Sequence, residues 1–356
     1  MSEAAAPREA ATKTSAIETV LGGLRFDWVA ALLAVVLISG VYLDGWAHNN
    51  GRVDDSFFTP WHAVLYGGLL LNGLFLGAVL VRNVGRGRHW RVALPHGYLP
   101  ALVGVVLFGF AGGADLVWHE VFGFEEDIEA LLSPSHLALG TGVFLIVSAS
   151  FRAAWRRSGA RSTMPWPAVL ALLATISIFT FFTQFANAFS SPNLYTQQLF
   201  SNNPYPLEVT LIAYVLLPTV ILMTAFLLAL RRWSLPPGAL TLLVVGNALF
   251  MYVERISYNR EQWYVLPALL LATLVIEGLY RLLDPTPQRV IALRLFAFTV
   301  PVVLFLFYFA ALILVQGIWW AIHMWLGVTL MAGVVGLGLS LLVAPPPIPA
   351  ETMPSN

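Results

Sequence analysis

Residues 290–316 read VIALRLFAFTVPVVLFLFYFAALILVQ, twenty-seven residues with one charged side chain, Arg294. A helix needs about 20 apolar residues to cross a bilayer core. In lipid the backbone must satisfy its own polar groups, which a helix does within one segment. This stretch is therefore read as a membrane-spanning helix. The rest of the chain repeats the pattern. Of 356 residues, 58% are hydrophobic and 11% are charged, against roughly 25% charged in a soluble domain. Spans are expected near 26–43, 59–82, 97–118, 134–156, 165–188, 206–231, 238–256, 262–283, 290–316 and 318–344. The expected fold is an all-α polytopic transmembrane helix bundle of about ten spans, with the lipid bilayer as its first partner. Strand-like alternation is absent, which argues against a β-barrel.

Three regions follow from this reading. Residues 1–24 are polar and lack a signal-peptide pattern, so they are expected to form a flexible cytoplasmic tail. Residues 25–345 form the transmembrane domain, divided into 25–158 and 165–345. Residues 346–356 are a second tail. With 19 basic and 19 acidic residues the formal charge is zero, and nothing points to nucleic acid. There are no cysteines, which excludes disulfides, thiolate metal sites and cysteine nucleophiles.

Arginines set the expected orientation in a cell membrane. Arg82, Arg86, Arg88 and Arg91 lie in one loop, and Arg152, Arg156, Arg157 and Arg161 in another. Arg231, Arg232, Arg281 and Arg289 fall on the same side. That side, with the N-terminus, is expected to be cytoplasmic, its arginines serving as topology signals and headgroup contacts. His89 and His96 belong to this solvated surface. The opposite loops carry Asp44, His48, Asp54 and Asp55, then Glu120, Glu125, Glu126, Asp127 and Glu129.

Two outer segments match each other. Residues 44–68 read DGWAHNNGRVDDSFFTPWHAVLYGG, and residues 115–142 read DLVWHEVFGFEEDIEALLSPSHLALGTG. Each has Asp-x3-His, then a loop, then a Thr/Ser-Pro-x-His step, then Gly six residues later. The pattern reads as an internal duplication. Asp and His at i and i+4 share a helix face. Thr59-Pro60 and Ser133-Pro134 are helix starts, hydroxyl at N-cap and Pro at N1, which puts His62 and His136 near N3. Each copy can thus gather one carboxylate and two imidazoles: Asp44, His48 and His62, or Asp115, His119 and His136. Two His and one carboxylate suit copper, zinc or non-haem iron with open positions. Helix-end capping and interface solvation are the plainer reading of the same residues.

Asp115-Leu-Val-Trp-His119 followed by Ser133-Pro-Ser-His136 resembles the metal-ligand segment of the C subunit of copper membrane monooxygenases, the particulate methane and ammonia monooxygenases. That family carries Asp-x3-His with Trp before the His, then a His in a Thr-Pro-Ser-His step. The likeness covers about twenty-five residues per copy. In the first copy Ala47 stands where the second has Trp118. The resemblance implies that Asp115, His119 and His136 bind copper, that Asp44, His48 and His62 form a sister site, and that the chain is monooxygenase-like.

Other features complete the expectation. His323, at the outer start of the last span, offers a fifth outer imidazole. Gln184, Asn187, Glu208, Asn247 and Glu254 can orient a ligand imidazole or serve as helix-end groups. Glu277 and Arg281 have ion-pair spacing. Gly67, Gly68, Gly112, Gly113, Gly333, Gly336 and Gly338 allow close helix contact. Three functions compete: a metal-binding membrane protein with an oxygenase-like reaction, a transporter or permease, and a non-catalytic or pH-sensing subunit with partner subunits or as a homo-oligomer.

Overall fold

The computed structural model describes residues 22–52, 59–123, 127–157, 159, 162–197 and 204–346. The expected tails before residue 22 and after residue 346, and the acidic loop residues Asp54, Asp55, Glu125 and Glu126, lie outside them. The described helices are α1 Leu24–Asn49, α2 Pro60–Val84, α3 Leu99–Phe122, α4 Asp127–Leu132, α5 Pro134–Val147, α6 Ala149–Arg157 and α7 Trp166–Phe182. They continue as α8 Asn193–Thr196, α9 Tyr205–Arg232, α10 Ala239–Glu254, α11 Ile256–Asn259, α12 Val265–Leu283, α13 Val290–Val315 and α14 Ile322–Val343. There is no strand among the described residues beyond one isolated bridge, Thr163 with Ser234.

Seven of these helices are long and apolar enough to cross a membrane, and nine spans result if two bent pairs each count as one. The expected tenth is α7, an apolar helix of 17 residues. The expectation of a span over 165–188 overshoots because the helix gives way at Thr183 to a tighter turn over Gln184–Ala186.

Both bends have local causes. α5 and α6 meet at 41° around Ser148. Ser148 Oγ donates back to the Phe144 carbonyl, a bond that bends helices. Arg152 donates to Ser148 Oγ and, at 2.7 Å, to the Leu145 carbonyl. The 97° break after α10 is occupied by Asn50. Its amide donates to the Glu254 carbonyl at 3.0 Å and accepts the Ser257 N–H at 3.2 Å. A side chain inserted into the backbone ladder is a recognised source of sharp kinks.

α1 sits inside the bundle against α2, α7 and α10, and α3 packs on α5. α2 is peripheral: only 22% of its apolar window is buried, against 50% for α1. Leu70, Leu71, Leu74 and Val81 are exposed along it, an outer surface suited to lipid rather than water.

Glycine sets how closely the helices cross. A β-carbon on Gly68 would stand 2.9 Å from Leu37 Cα, and one on Gly142 would stand 3.0 Å from both the Gly104 carbonyl and Phe108 Cβ. Leu37 and Phe108 each lie seven residues before an aspartate of the two motifs. α13 and α14 meet still more closely at Ala297 and Gly336. Gly67, Gly113 and Gly338 have open space instead, so the expected packing role falls to Gly68, Gly112, Gly333 and Gly336.

The arginine-rich end differs from the expectation of headgroup contacts. Arg157 turns inward and pairs with Asp27, which is 2% exposed. Tyr98 donates to the same carboxylate at 2.6 Å and lies 3.0 Å from Ser150 Oγ. A charge inside the bundle requires such pairing. Arg152 also donates to the Gly97 carbonyl. Glu277 departs from its expected pairing with Arg281. Its carboxylate accepts the backbone N–H groups of Leu240 and Thr241 at 3.0 and 3.3 Å. It therefore satisfies orphan donors at the start of α10 from a neighbouring helix.

Candidate metal centre

The six motif residues come together as two sets of three at one end of the bundle. In each set one donor atom per residue lies within 4.8 Å of the other two. Asp44 and His48 are one turn apart near the end of α1, and His62 comes from the first turn of α2. Asp115 and His119 take the same places near the end of α3, and His136 the first turn of α5.

The helix starts behave as the Thr/Ser-Pro pairs predict. Thr59 Oγ1 accepts the His62 N–H at 3.2 Å, and Ser133 Oγ accepts the His136 N–H at 3.4 Å. Pro60 and Pro134 open their helices. The caps therefore fix the backbone at His62 and His136 in the first turn of each helix, from which the imidazoles extend.

The separations bracket those expected around a shared cation. Asp44 Oδ1 is 3.1 Å from His62 Nε2. Asp115 Oδ2 is 3.4 Å from His119 Nε2, and Oδ1 is 3.8 Å from His136 Nε2. Ligands at about 2.0–2.2 Å from a tetrahedral ion stand roughly 3.3–3.6 Å apart. Asp44 Oδ1 and Asp115 Oδ1 are also buried, and each meets an imidazole at ion-pair distance without a hydrogen bond. A buried carboxylate oxygen without a hydrogen bond is costly, and a protonated imidazole or a cation between the donors would satisfy it. The aspartates also offset the partial positive charge of the α2 and α5 N-termini.

In the second set the rings are held from behind. His136 Nδ1 is 2.7 Å from Ser133 Oγ. His119 Nδ1 donates to the Gly123 carbonyl at 3.3 Å. Gly123 ends α3 with φ of 83°, a region that glycine enters without strain, and this turns its carbonyl back toward the ring. A proton on Nδ1 leaves Nε2 with its lone pair, the tautomer a metal at Nε2 requires. The donor set thus fits a transition-metal ion.

No family model, curated protein or solved structure matches this chain.

The other expected participants stand elsewhere. His323 is exposed in the first turn of α14 and belongs to neither set. Gln184 and Glu254 bond to each other at 2.8 Å, and Asn49 donates to Gln184 at 3.0 Å. Asn247 donates to Thr180 at 2.7 Å, and Tyr42 to the Ser177 carbonyl at 2.9 Å. These groups form a polar layer between α1, α7 and α10, on the far side of α1 from α2. Asn187 Oδ1 accepts the Phe189 N–H and shapes the turn after α7.

Tyr66 was not singled out by sequence. It stands one turn after His62, and their ring centroids are 6.2 Å apart. The i,i+4 spacing from a candidate ligand was the available signal.

Proposed function

We propose that this chain is a membrane protein of the cell membrane that holds transition-metal ions at its outer face. Asp44, His48 and His62 are the ligands of one site, and Asp115, His119 and His136 those of the other. The N-terminus is cytoplasmic, and α7 serves as a tenth span. The two hairpins are copies of one ancestral unit, each closed by its glycine over the residue seven before the aspartate. The observation that carries the reading is the pair of buried aspartate oxygens without hydrogen bonds, each facing an imidazole nitrogen.

Copper is the preferred ion, given the resemblance of the second segment to the copper monooxygenase C subunit; zinc and iron suit the same donors. Copper with an open position would supply dioxygen binding and one-electron chemistry, and a monooxygenase-like reaction would draw its two electrons from an external donor. A small apolar substrate would reach the site from lipid along the exposed faces of α2 and α3. The test is metal analysis of protein purified without chelators. Bound metal that falls in His119→Ala/His136→Ala supports the proposal. Near-zero metal in both proteins rejects it.

A second reading, ion passage, rests on a different observation. Glu254 is fully buried, its Oε2 has no hydrogen bond, and it directly precedes the 97° break. Interrupted helices with buried ionisable groups mark ion paths. Proton flux into vesicles carrying the protein, lost in Glu254→Gln, would favour this reading over the first. A further role as a subunit of a larger membrane complex would show as a copurifying partner.

A further inference from the structure

The two donor sets share one neighbour. The hydroxyl of Tyr66 on α2 lies against Gly112 on α3, where a β-carbon would stand 2.8 Å from it. Gly112 is one turn before Asp115, and Tyr66 is one turn after His62, so the phenol reaches from the first motif to the second. Its ring packs edge-on to Phe108 at 5.8 Å between centroids. The corresponding position in the second motif, four residues after His136, is Gly140. A β-carbon there would meet Phe182 at 2.6 Å. The tyrosine therefore occurs once, in the wall between the sets, and the glycine on its partner helix makes room for it.

The grouping of donors matters as well. Each triad closes within 4.8 Å of itself, and the six do not form a single group. One ion cannot be held by both.

Resting on the metal-binding reading, we propose that the chain carries two separate transition-metal sites, one per hairpin, paired across Tyr66 as a common outer-shell positioning residue. The ligand class is a divalent first-row cation, two per chain. Tyr66, beside His62 on one helix and against Gly112 on the other, ligates neither ion but lines both sites, so that a change at the phenol reaches both.

The experiment uses the full-length protein in detergent, loaded with Cu(II) and freed of excess ion. Wild type is expected to retain two equivalents. His48→Ala/His62→Ala and His119→Ala/His136→Ala are each expected to retain one. The magnetic dipolar broadening between neighbouring Cu(II) ions, present in wild type, should vanish in both. Tyr66→Phe should keep two equivalents and shift the Cu(II) spectrum of each site, read separately in the two His-pair backgrounds. A single equivalent in wild type, lost completely in either His-pair variant, would overturn the pairing while leaving metal binding intact. Two equivalents without dipolar broadening, or a Tyr66→Phe shift confined to one site, would also overturn it. No retained copper in wild type would remove the metal-binding reading itself.

Discussion

Asp44 Oδ1 and His62 Nε2 stand 3.1 Å apart across the α1–α2 hairpin, yet no hydrogen bond joins them. The separation itself is within hydrogen-bond reach, so it is the unsatisfied oxygen, not the distance, that points to an ion shared by the two side chains. Asp44→Ala should therefore weaken metal binding at the first set by more than the 10–100-fold typical of losing an outer-shell partner. Competition with a chelator of known affinity measures it. Unchanged affinity would place the ion elsewhere.

Ser133 does two things at once: it caps α5 and contacts His136 Nδ1 at 2.7 Å. Ser133→Ala should cost about 1 kcal/mol of stability and roughly 10–100-fold in metal affinity at the second set. Ser133→Thr keeps the hydroxyl and should restore most of both. Thermal unfolding in detergent and metal titration read the two effects independently.

The close crossing at Gly68 brings His62 down beside Asp44. Gly68→Val adds atoms where even a β-carbon lies 2.9 Å from Leu37 Cα. Overpacking of this kind costs about 1–3 kcal/mol. The variant should unfold at lower temperature and lose metal from the first set in preference to the second. Equal loss from both sets would mean that the crossing does not position the site.

At the opposite end, Arg157→Met should leave Asp27 buried and without its cation. Removing one member of a buried pair costs about 3–5 kcal/mol. The double change Asp27→Leu/Arg157→Met should recover much of that loss, because neither charge then remains inside. A double-mutant cycle on thermal unfolding checks the sign of the coupling.

Much of this was legible in the sequence, for identifiable reasons. Apolar runs depend on local composition, so the helices fall close to their expected ranges. Asp-x3-His and Pro-x-His encode geometry over one turn, so the six side chains fall in the two groups of three that the sequence pattern predicts. Properties that depend on distant partners were not legible. The inward turn of Arg157 needs Asp27, 130 residues away. The capping role of Glu277 needs the start of α10, and spacing pointed instead to Arg281, which is exposed. The break after Glu254 is held by Asn50, more than 200 residues earlier. Gln184 and Glu254 had the right depth to support an imidazole, but they lie behind α1 and bond to each other.

X-ray absorption at the metal edge, on protein purified without chelators, decides whether these imidazoles and carboxylates hold an ion. Each ion should be ligated by two imidazole nitrogens and a carboxylate oxygen at about 2.0–2.2 Å. Bound metal should halve in each His-pair variant, and the remaining ion should keep its two imidazoles. A metal-free protein, or an ion bound by oxygen alone and unaffected by both variants, would contradict this ligation.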